Sequence, residues 1–429
     1  MILGGFPMRV LQAYRFALDP TPRQERALAS HVGARRFAFN WGLALVKERL
    51  DACARGDDVE VPWTLSALRR EWNRQKHVVA PWWRENSKEA YSSGLDGLVR
   101  ALQNWSKSRK GERKGRRVGF PRFRKKGRGR ESVRFTTGAI RVDDKSHVVL
   151  PRIGRVKIHE PTTALLRRIE AGTARILSAT VSREGGRWFV SFTCEVERPP
   201  GRPRFPWRVV GVDAGVKHLA VLSTGEVCPN PRALEKNLKQ LARWNRALAR
   251  RQKGSRGWRK ARRRLARLHG RVRNIRQDAL HKLTHHLAST YGVVVVEQLN
   301  VAGMLKNRRL ARALADAALA EIRRQLRYKC AWHGAVLVES PPFYPSSKRC
   351  SRCGAIKPSL PLSQRVFRCE ECGLVLDRDE NAARNLATLV AAVAGSGPET
   401  LNARGRDGRP ALRQAVPEET GSRRRLIAG

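Results

Sequence analysis

The sequence predicts a multidomain α/β protein with a small cysteine module near its carboxyl end. Three observations lead to this prediction. The chain has 429 residues and is 41% hydrophobic, enough to bury a core in each of roughly two to four domains. Helical apolar spacing over residues 21–106 gives way to short β-like runs over about 132–198, and then to strands that alternate with helices. Two Cys-x-x-Cys turns follow at 350–353 and 369–372.

The first predicted elements are a strand and a helical block. Residues 9–18 contain an alternating apolar run, which is typical of a strand. Thr21, Pro22 and Gln24 form the sequence of a capping box with proline at the first helical position, so a helix should begin there. Helical patterns continue to about residue 106.

A basic, glycine-rich stretch with interleaved aromatic residues occupies 107–134, and the β-like runs after it indicate an all-β module. Four prolines between 199 and 206 mark a linker. Phe120 and Phe123 could stack on nucleic-acid bases or could pack in a core; the sequence does not decide between these. The cations predicted to bind nucleic acid here are Arg122, Arg124, Lys125 and Lys126.

After the linker, two strands at 208–213 and 218–223 are joined by a tight turn at Gly215. Residues 231–273 then hold 17 Lys and Arg against one acidic residue, Glu235. Two apolar stripes separated by residues 254–257 predict an antiparallel helical hairpin with a basic outer face. A merely solvated helix surface is the alternative. Trp258 could stack on a nucleic-acid base or could pack in a core. The cations of this region that are predicted to contact nucleic acid are Arg250, Arg251, Arg259, Lys260, Arg263 and Arg264.

The net charge of +50, with a pI near 11.5, predicts a polyanionic partner, and nucleic acid is the commonest polyanion. A secreted cationic protein is the alternative, but the first residues do not resemble an export signal. The chain contains no run of 18 consecutive apolar residues, so the sequence predicts no membrane span. We therefore expect a cytoplasmic protein of a prokaryote, associated with the nucleoid when on DNA, that starts at Met1 or Met8.

Cys350, Cys353, Cys369 and Cys372 form two Cys-x-x-Cys-Gly turns with a 15-residue spacer, a pattern typical of a structural four-thiolate zinc site. Gly354 and Gly373 should permit the tight turns that aim backbone N–H groups at the sulfurs. Free thiols or a disulfide are the alternatives to a zinc site. Four thiolates leave no open position for catalysis. The remaining cysteines are scattered without a disulfide framework, which fits a reducing compartment.

Three acidic residues, Asp213, Glu297 and Asp379, each follow an apolar run. Each alone could be a turn or capping carboxylate. Carboxylates delivered by separate strand ends can hold a pair of Mg²⁺ ions, and such a pair can cleave phosphodiesters. Together with the cysteine module and the positive charge, this set favours a metal-dependent nuclease.

The segments that carry these acids resemble the three RuvC motifs of TnpB (OrfB) proteins, the transposon-encoded ancestors of type V CRISPR effectors. The matching segments are Gly211–Gly215, Val295–Met304 and Asp377–Ala383. Further similarity lies at 14–16 with 20–22, 119–123, 274–282 and 345–354, so the resemblance covers about residues 9–390.

The resemblance implies that Asp213, Glu297 and Asp379 are catalytic Mg²⁺ ligands. Asp377 is excluded because the family places its ligand two residues before the asparagine of the Asn-Ala-Ala run. Gln298 stands where many relatives have aspartate, at a position that is not a ligand. The implied cofactors are two catalytic Mg²⁺ and one structural Zn²⁺.

The implied architecture is an RNase H-like (RuvC) nuclease core at 206–345 and 376–390, containing the basic hairpin 231–273 and interrupted by a zinc ribbon at 346–375. A β-barrel wedge domain would comprise 1–20 and 107–205, a helical recognition lobe 21–106, and a disordered tail 391–429. The implied partners are a guide RNA from the transposon end and double-stranded target DNA, bound by a monomer.

The resemblance thus implies an RNA-guided DNA endonuclease. Three alternatives remain at this point: a guide-directed repressor that does not cut, a transposase that performs strand transfer itself, and a general RNA-binding cationic protein. The last explains the charge but not the ordered acidic motifs.

Overall fold

The amino-terminal part of the chain forms one strand and three α-helices in the computed structural model, which describes residues 8–136, 139–361 and 363–394. The predicted capping box is confirmed: Thr21 Oγ1 accepts a hydrogen bond from Gln24 N–H, and Gln24 Oε1 accepts one from Thr21 N–H. The elements are β1 (Met8–Asp19), α1 (Pro22–Ala54), α2 (Leu65–Val79), a 3₁₀ helix (Pro81–Glu85) and α3 (Lys88–Arg109).

The predicted β module is a seven-stranded sheet with the order β2-β6-β7-β1-β5-β4-β3. It also contains one helix, so the all-β prediction was wrong on that point. Strand β1 pairs antiparallel with residues 188–198 of β7, which joins the amino-terminal strand to this sheet. The new elements are β2 (Glu131–Phe135), β3 (Arg141–Val142), β4 (His147–Leu150), β5 (Gly154–Ile158), α4 (Thr163–Glu170), β6 (Ala174–Glu184) and β7 (Arg187–Arg198).

The helices α1 to α3 and the seven-stranded sheet share one hydrophobic core. Leu43 and Tyr91 from the helices and Phe135 and Phe192 from the sheet are all fully buried in it. Gly94 lets α3 approach α1 closely, because a Cβ there would lie 2.3 Å from the Arg35 carbonyl oxygen. The helical block is therefore attached to the sheet by packing rather than by a linker alone.

The second half of the chain forms a five-stranded sheet with the order β10-β9-β8-β11-β12. Strand β8 is antiparallel to β9 and parallel to β11, which is parallel to β12. The elements are β8 (Phe205–Asp213), β9 (His218–Leu222), β10 (Val227–Pro229), α5 (Ala233–Ala249), α6 (Arg256–Thr290), β11 (Tyr291–Val296), α7 (Val301–Met304), α8 (Ala311–Ala317), α9 (Leu319–His333) and β12 (Val336–Glu339).

The predicted helical hairpin is confirmed as α5 packed on α6, with Ser255 capping α6 by accepting a hydrogen bond from Trp258 N–H. The helical pattern over residues 310–332 predicts a single helix, but the structure has two, α8 and α9. They are separated at Ala318, whose φ of +53° is left-handed and interrupts the helical backbone.

The carboxyl-terminal elements are β13 (Val366–Arg368), β14 (Val375–Asp377) and α10 (Arg378–Ala394). Helix α10 lies directly on β8: a Cβ on Gly211 would lie 1.9 Å from the Ala383 carbonyl oxygen. The prediction of a disordered tail from residue 391 was wrong for its first residues, because α10 continues to Ala394. The remainder of the predicted tail lies outside the described residues. No helix among the described residues is long and apolar enough to span a membrane.

Candidate active site and metal-binding module

Asp213 and Glu297 are neighbours at one edge of the five-stranded sheet. Strands β8 and β11 run parallel, and Val212 is the register partner of Val296. Asp213 and Glu297 are the next residue on each strand, so both leave the sheet at the carboxyl ends of adjacent parallel strands. Both are half-buried. The β8–β9 connection and the β11–α7 connection therefore deliver two carboxylates to the same place.

Asp379 reaches this edge from α10, which packs on β8, β9 and β11. Its side chain is 20% exposed. The neighbouring Asp377 has a different role: its Oδ1 accepts hydrogen bonds from Asp379 N–H at 2.9 Å and from Glu380 N–H at 3.2 Å. Asp377 thus caps the helix that carries Asp379.

The electrostatics show that Asp379 and Glu297 both act on Asp213. Burial, and then the negative charges of Asp379 and Glu297, raise the pKa of Asp213 to about 7. Burial also raises the pKa of Glu297, although a hydrogen bond from Ser346 opposes that shift. Two nearby cations offset little of this repulsion: Arg378 lowers the pKa of Asp213 only in part, and Arg365 Nη1 lies 4.0 Å from Asp379 Oδ1.

Repelling carboxylates at a shielded sheet edge are the donor set that hard divalent cations such as Mg²⁺ prefer. Within the described residues, the only cluster of three or more metal-ligating side chains whose ligand atoms all lie within 4.8 Å of one another is the four cysteines. Asp213, Glu297 and Asp379, which are among the described residues, do not form a cluster of this kind.

The four cysteines form a compact sulfur cluster. Cys350 Sγ lies 3.6 Å from Cys372 Sγ, and Cys353 Sγ lies 3.5 Å from Cys369 Sγ. Four sulfurs about 2.3 Å from a tetrahedral Zn²⁺ are about 3.8 Å apart, so the set fits zinc. No disulfide joins the cysteines of the described residues.

The two cysteine turns have the same backbone structure. Gly354 N–H bonds to Cys350 O, and Gly373 N–H bonds to Cys369 O, each closing a turn around its sulfurs. Gly354 has a φ of +79° and Gly373 a φ of +69°, conformations that glycine adopts without strain. The predicted role of these glycines is confirmed.

Two asparagines of α10 attach the cysteine module to the candidate active site. Asn381 Oδ1 accepts a hydrogen bond from Ser351 N–H, and Asn381 Nδ2 donates to Arg349 O. One turn further along, Asn385 Nδ2 donates to Ser346 O and Arg349 O. Both asparagines are buried. The segment entering the first cysteine turn is therefore fixed to the helix that carries Asp379.

The same segment also contacts Glu297, since Ser346 Oγ donates a hydrogen bond to Glu297 Oε1 at 3.3 Å. Sequence analysis did not assign roles to Ser346, Asn381 or Asn385. The signal available was the spacing of four residues between two asparagines on an otherwise apolar helix face, which indicates buried amides with fixed partners.

Two of the basic segments predicted to bind nucleic acid lie side by side. Arg259, Arg263 and Trp258 line a cavity of about 300 Å³ between α6, the β6–β7 turn and the loop at Gly127. Arg262 Nη2 donates to Gly127 O across it. The other predicted cations of α5, α6 and the basic loop are on the surface: Arg122, Lys125, Lys126, Arg250, Arg251, Lys260 and Arg264.

Arg124 differs from this group. Its guanidinium lies 3.6 Å above the ring of Phe39, and Asn40 makes two hydrogen bonds to its backbone. Burial lowers its pKa to about 10. Phe120 packs edge-on against Trp105, whereas Phe123 is 49% exposed. Arg124 and Phe120 therefore have structural partners. Lys47 Nζ lies 5.2 Å from the centre of the Phe123 ring, so this ring has a cation beside it and is only partly available for stacking.

A larger basic cavity, of about 860 Å³, separates the β6–β7 hairpin from the middle of α6. This cavity has no local sequence signal, because its cations come from strands and a helix far apart in the chain. They are Arg130, Arg183, Arg187, Arg267, Arg271 and Arg273.

Comparison with known proteins agrees with these features. Residues 191–308 match the OrfB_IS605 family model, described as "Probable transposase", and residues 320–386 match the "Cas12f1-like, TNB domain". A Mycobacterium tuberculosis protein with the provisional name RNA-guided DNA endonuclease is 43% identical over 397 residues, covering 88% of this chain and 86% of the relative. The chain belongs to the TnpB (OrfB) family.

Two further members of the family have the same provisional name. The Streptomyces pristinaespiralis protein is 34% identical over 97% of this chain and 99% of its own length. The InsQ protein of Escherichia coli K12 is 32% identical over 91% of this chain and 95% of its own length. Among solved structures, a Cas12f1–sgRNA–target DNA complex has a TM-score of 0.49 at 13% identity, covering 88% of this chain and 99% of that chain.

One family model differs from the structure in its description. Residues 8–53 match a model named "Helix-turn-helix domain". In this member of the family they form strand β1 and the greater part of the single 33-residue helix α1. We therefore draw no DNA-reading role from that name.

Proposed function

We propose that this chain is an RNA-guided DNA endonuclease that hydrolyses phosphodiester bonds with two Mg²⁺ ions. The observation that carries the proposal is the meeting of Asp213, Glu297 and Asp379 at one sheet edge, through β8, β11 and α10. The names of the relatives support the guided reaction on DNA. The strand order β10-β9-β8-β11-β12 supports an RNase H-like (RuvC) core.

Asp213, Glu297 and Asp379 would hold the two Mg²⁺ ions, which when bound activate water and stabilise the leaving oxygen. The chain's own contribution is positioning. Strand ends fix Asp213 and Glu297, the hydrogen bond from Ser346 orients Glu297, and the Asp377 cap fixes the first turn of α10 beneath Asp379. Such fixed carboxylates need little reorganisation during the reaction.

Nucleic acid must be brought to an acidic site, since three carboxylates repel a phosphodiester. The basic cavity of about 860 Å³ and its neighbour of about 300 Å³ offer an arginine-lined path for a backbone between α6 and the seven-stranded sheet. We propose this path for guide RNA, because its cations come from the nuclease half and the β module together. Binding should weaken steeply with salt as counterions are released.

The decisive experiment is to purify the protein with the RNA it retains, sequence that RNA, and supply duplex DNA matched to it. We expect Mg²⁺-dependent cleavage by the wild type, and binding without cleavage by Asp213→Asn. Asp377→Asn is the matched control: asparagine caps a helix about as well as aspartate, so this variant should retain most cleavage. Binding without cleavage by the wild type would favour a repressor, and joined donor and target strands would favour a transposase.

A further inference from the structure

Phe343 is an exposed aromatic residue held in a conformation that phenylalanine rarely adopts. Its side chain is 94% exposed, and its φ of +61° is left-handed. It follows Pro342 in a turn closed by a hydrogen bond from Tyr344 N–H to Pro341 O. With proline at the second position, the third position of such a turn normally holds glycine or asparagine. An exposed bulky side chain at a strained position indicates a role in binding.

The turn is fastened to the peptide that carries Glu297. Ser340 N–H donates to Val296 O at 2.9 Å, and Gln298 N–H donates to Ser340 Oγ, so Ser340 is bound on both sides of Glu297. On the other side of the turn, Ser346 Oγ donates to Glu297 Oε1. Phe343 therefore has a fixed position relative to this carboxylate.

A cavity of about 470 Å³ lies between Phe343 and Glu297. Leu299, Met304 and Pro342 contribute apolar surface to its lining. Arg323 contributes a positive charge, and its Nη1 lies 3.7 Å from Glu339 Oε2. Apolar walls with a few polar groups suit a planar heterocycle, and an adjacent cation suits the phosphate attached to it.

We propose that Phe343 stacks on the nucleobase of the DNA strand next to the phosphodiester that is cut. This inference rests on the proposed function, because it takes Glu297 as part of the cleavage site. Stacking holds an unpaired nucleotide irrespective of its base identity, since every base presents a π-face. The strand is thereby held single-stranded and in register while its phosphate lies at the carboxylates.

The test combines a protein variant with a DNA lesion. Abasic sites are placed one nucleotide at a time across the cleavage position of the guide-matched target, and cleavage rates are measured at subsaturating enzyme. We expect one position where the missing base slows the wild type about 5- to 150-fold, the range for loss of one base–aromatic stack. Phe343→Ala should slow cleavage of intact DNA by a similar factor. The same abasic site should then cause no further decrease in the cleavage rate of Phe343→Ala.

Three further variants distinguish the effect of the aromatic ring at residue 343 from the effect of its left-handed backbone. Phe343→Tyr should keep the wild-type rate, and Phe343→Gly, which relieves the left-handed φ, should be as slow as Phe343→Ala. Trp207→Ala removes another exposed aromatic side chain, 73% exposed on β8, and should keep the wild-type rate. A wild-type rate for Phe343→Ala, or an abasic effect that Phe343→Ala leaves unchanged, would overturn the inference.

If the wild type does not cleave DNA, the proposed function is contradicted. Stacking by Phe343 would then be tested by a second measurement that does not require cleavage. Single-stranded oligonucleotides containing 2-aminopurine would then be titrated with each variant. Stacking on Phe343 predicts fluorescence quenching by the wild type and Phe343→Tyr but not by Phe343→Ala. Equal fluorescence changes with all three proteins would overturn the inference independently of catalysis.

Discussion

Ser346 Oγ lies 3.3 Å from Glu297 Oε1, and the Ser346 carbonyl accepts a hydrogen bond from Asn385 on α10. One residue thus joins the carboxylate from β11 to the helix that carries Asp379. Four residues later the same segment enters the cysteine module at Cys350. The proposed metal ligands and the cysteine module are therefore parts of one hydrogen-bonded unit.

Ser346→Ala should lower the cleavage rate by about 10- to 100-fold while the protein stays folded. A hydrogen bond to a charged group contributes about 1.5–3 kcal/mol, and here it orients a proposed metal ligand. Single-turnover rates over a range of Mg²⁺ concentrations are the measurement. Ser347→Ala is the matched control and should match the wild type; an equal loss in both variants would point to general disruption of the segment.

Asn385→Ala should loosen the attachment of the cysteine module. It removes two hydrogen bonds. The Ser346 carbonyl loses this donor, which costs about 1–3 kcal/mol when the group is buried, whereas the Arg349 carbonyl keeps its hydrogen bond from Asn381. We expect a lower melting temperature and faster proteolysis between 346 and 375. Arg384→Ala, which removes a surface ion pair with Glu380, should change stability by less than about 1 kcal/mol. Identical melting of the two variants would contradict this role.

Cys369→Ser should release zinc and reduce cleavage. Zinc binding supplies folding free energy, about 10–16 kcal/mol in small zinc modules. Without it the module would no longer hold Ser351 and Arg349 against Asn381. Metal content by mass spectrometry and cleavage rate are measured on the same preparation. Cys53→Ser, an exposed cysteine outside the module, is the control. Full cleavage by a zinc-free variant would refute the scaffold role.

Gly211→Ala should separate α10 from β8 and abolish cleavage. The added Cβ would lie 1.9 Å from Ala383 O and 2.7 Å from Ala387 N, both backbone atoms that cannot rotate away. Overpacking of this kind typically costs about 1–3 kcal/mol or more. Thermal unfolding is the measurement. Gly270→Ala, in helix α6 with no atom near its Cβ, should instead stabilise by up to about 1 kcal/mol.

Without divalent ions, the contribution of Asp213 to the stability of the protein should fall as pH rises from about 4 to 7. The pKa of Asp213 is about 7 in the folded chain and about 3.9 when exposed, so the folded state retains a proton that the unfolded state releases in this range. Asp213→Asn should therefore raise the melting temperature at pH 8 but not at pH 4. Its benefit at pH 8 is at most about 4 kcal/mol.

Without Mg²⁺ at pH 8, Asp213→Asn should melt at a higher temperature than the wild type. Adding Mg²⁺ should reverse this order, because it should stabilise the wild type and leave the melting temperature of Asp213→Asn almost unchanged. An ion that binds only the folded state raises stability by mass action. Differential scanning calorimetry at both pH values checks the two effects. A Mg²⁺ response of equal size in both proteins would show that Asp213 is not a ligand.

Some elements of this structure could be predicted from the sequence because they depend on interactions between residues close together in the chain. The capping box at Thr21, the basic helical hairpin and the left-handed glycines of the cysteine turns depend on neighbouring residues, and each is confirmed. The break at Ala318 was missed because a left-handed alanine has no local sequence signal. Helix α8 packs on α5 and helix α9 packs on α6, so contacts between segments distant in the chain accompany the break.

The candidate site divides in the same way. Sequence order identifies Asp213, Glu297 and Asp379 as acids at the ends of apolar runs, and spacing identifies the four thiols. Their joint position depends on the parallel register of β8 with β11 and on the close approach of α10 at Gly211. Ser346, Asn385 and the strained Phe343 acquire their roles only there, because long-range packing decides which polar groups share one buried place.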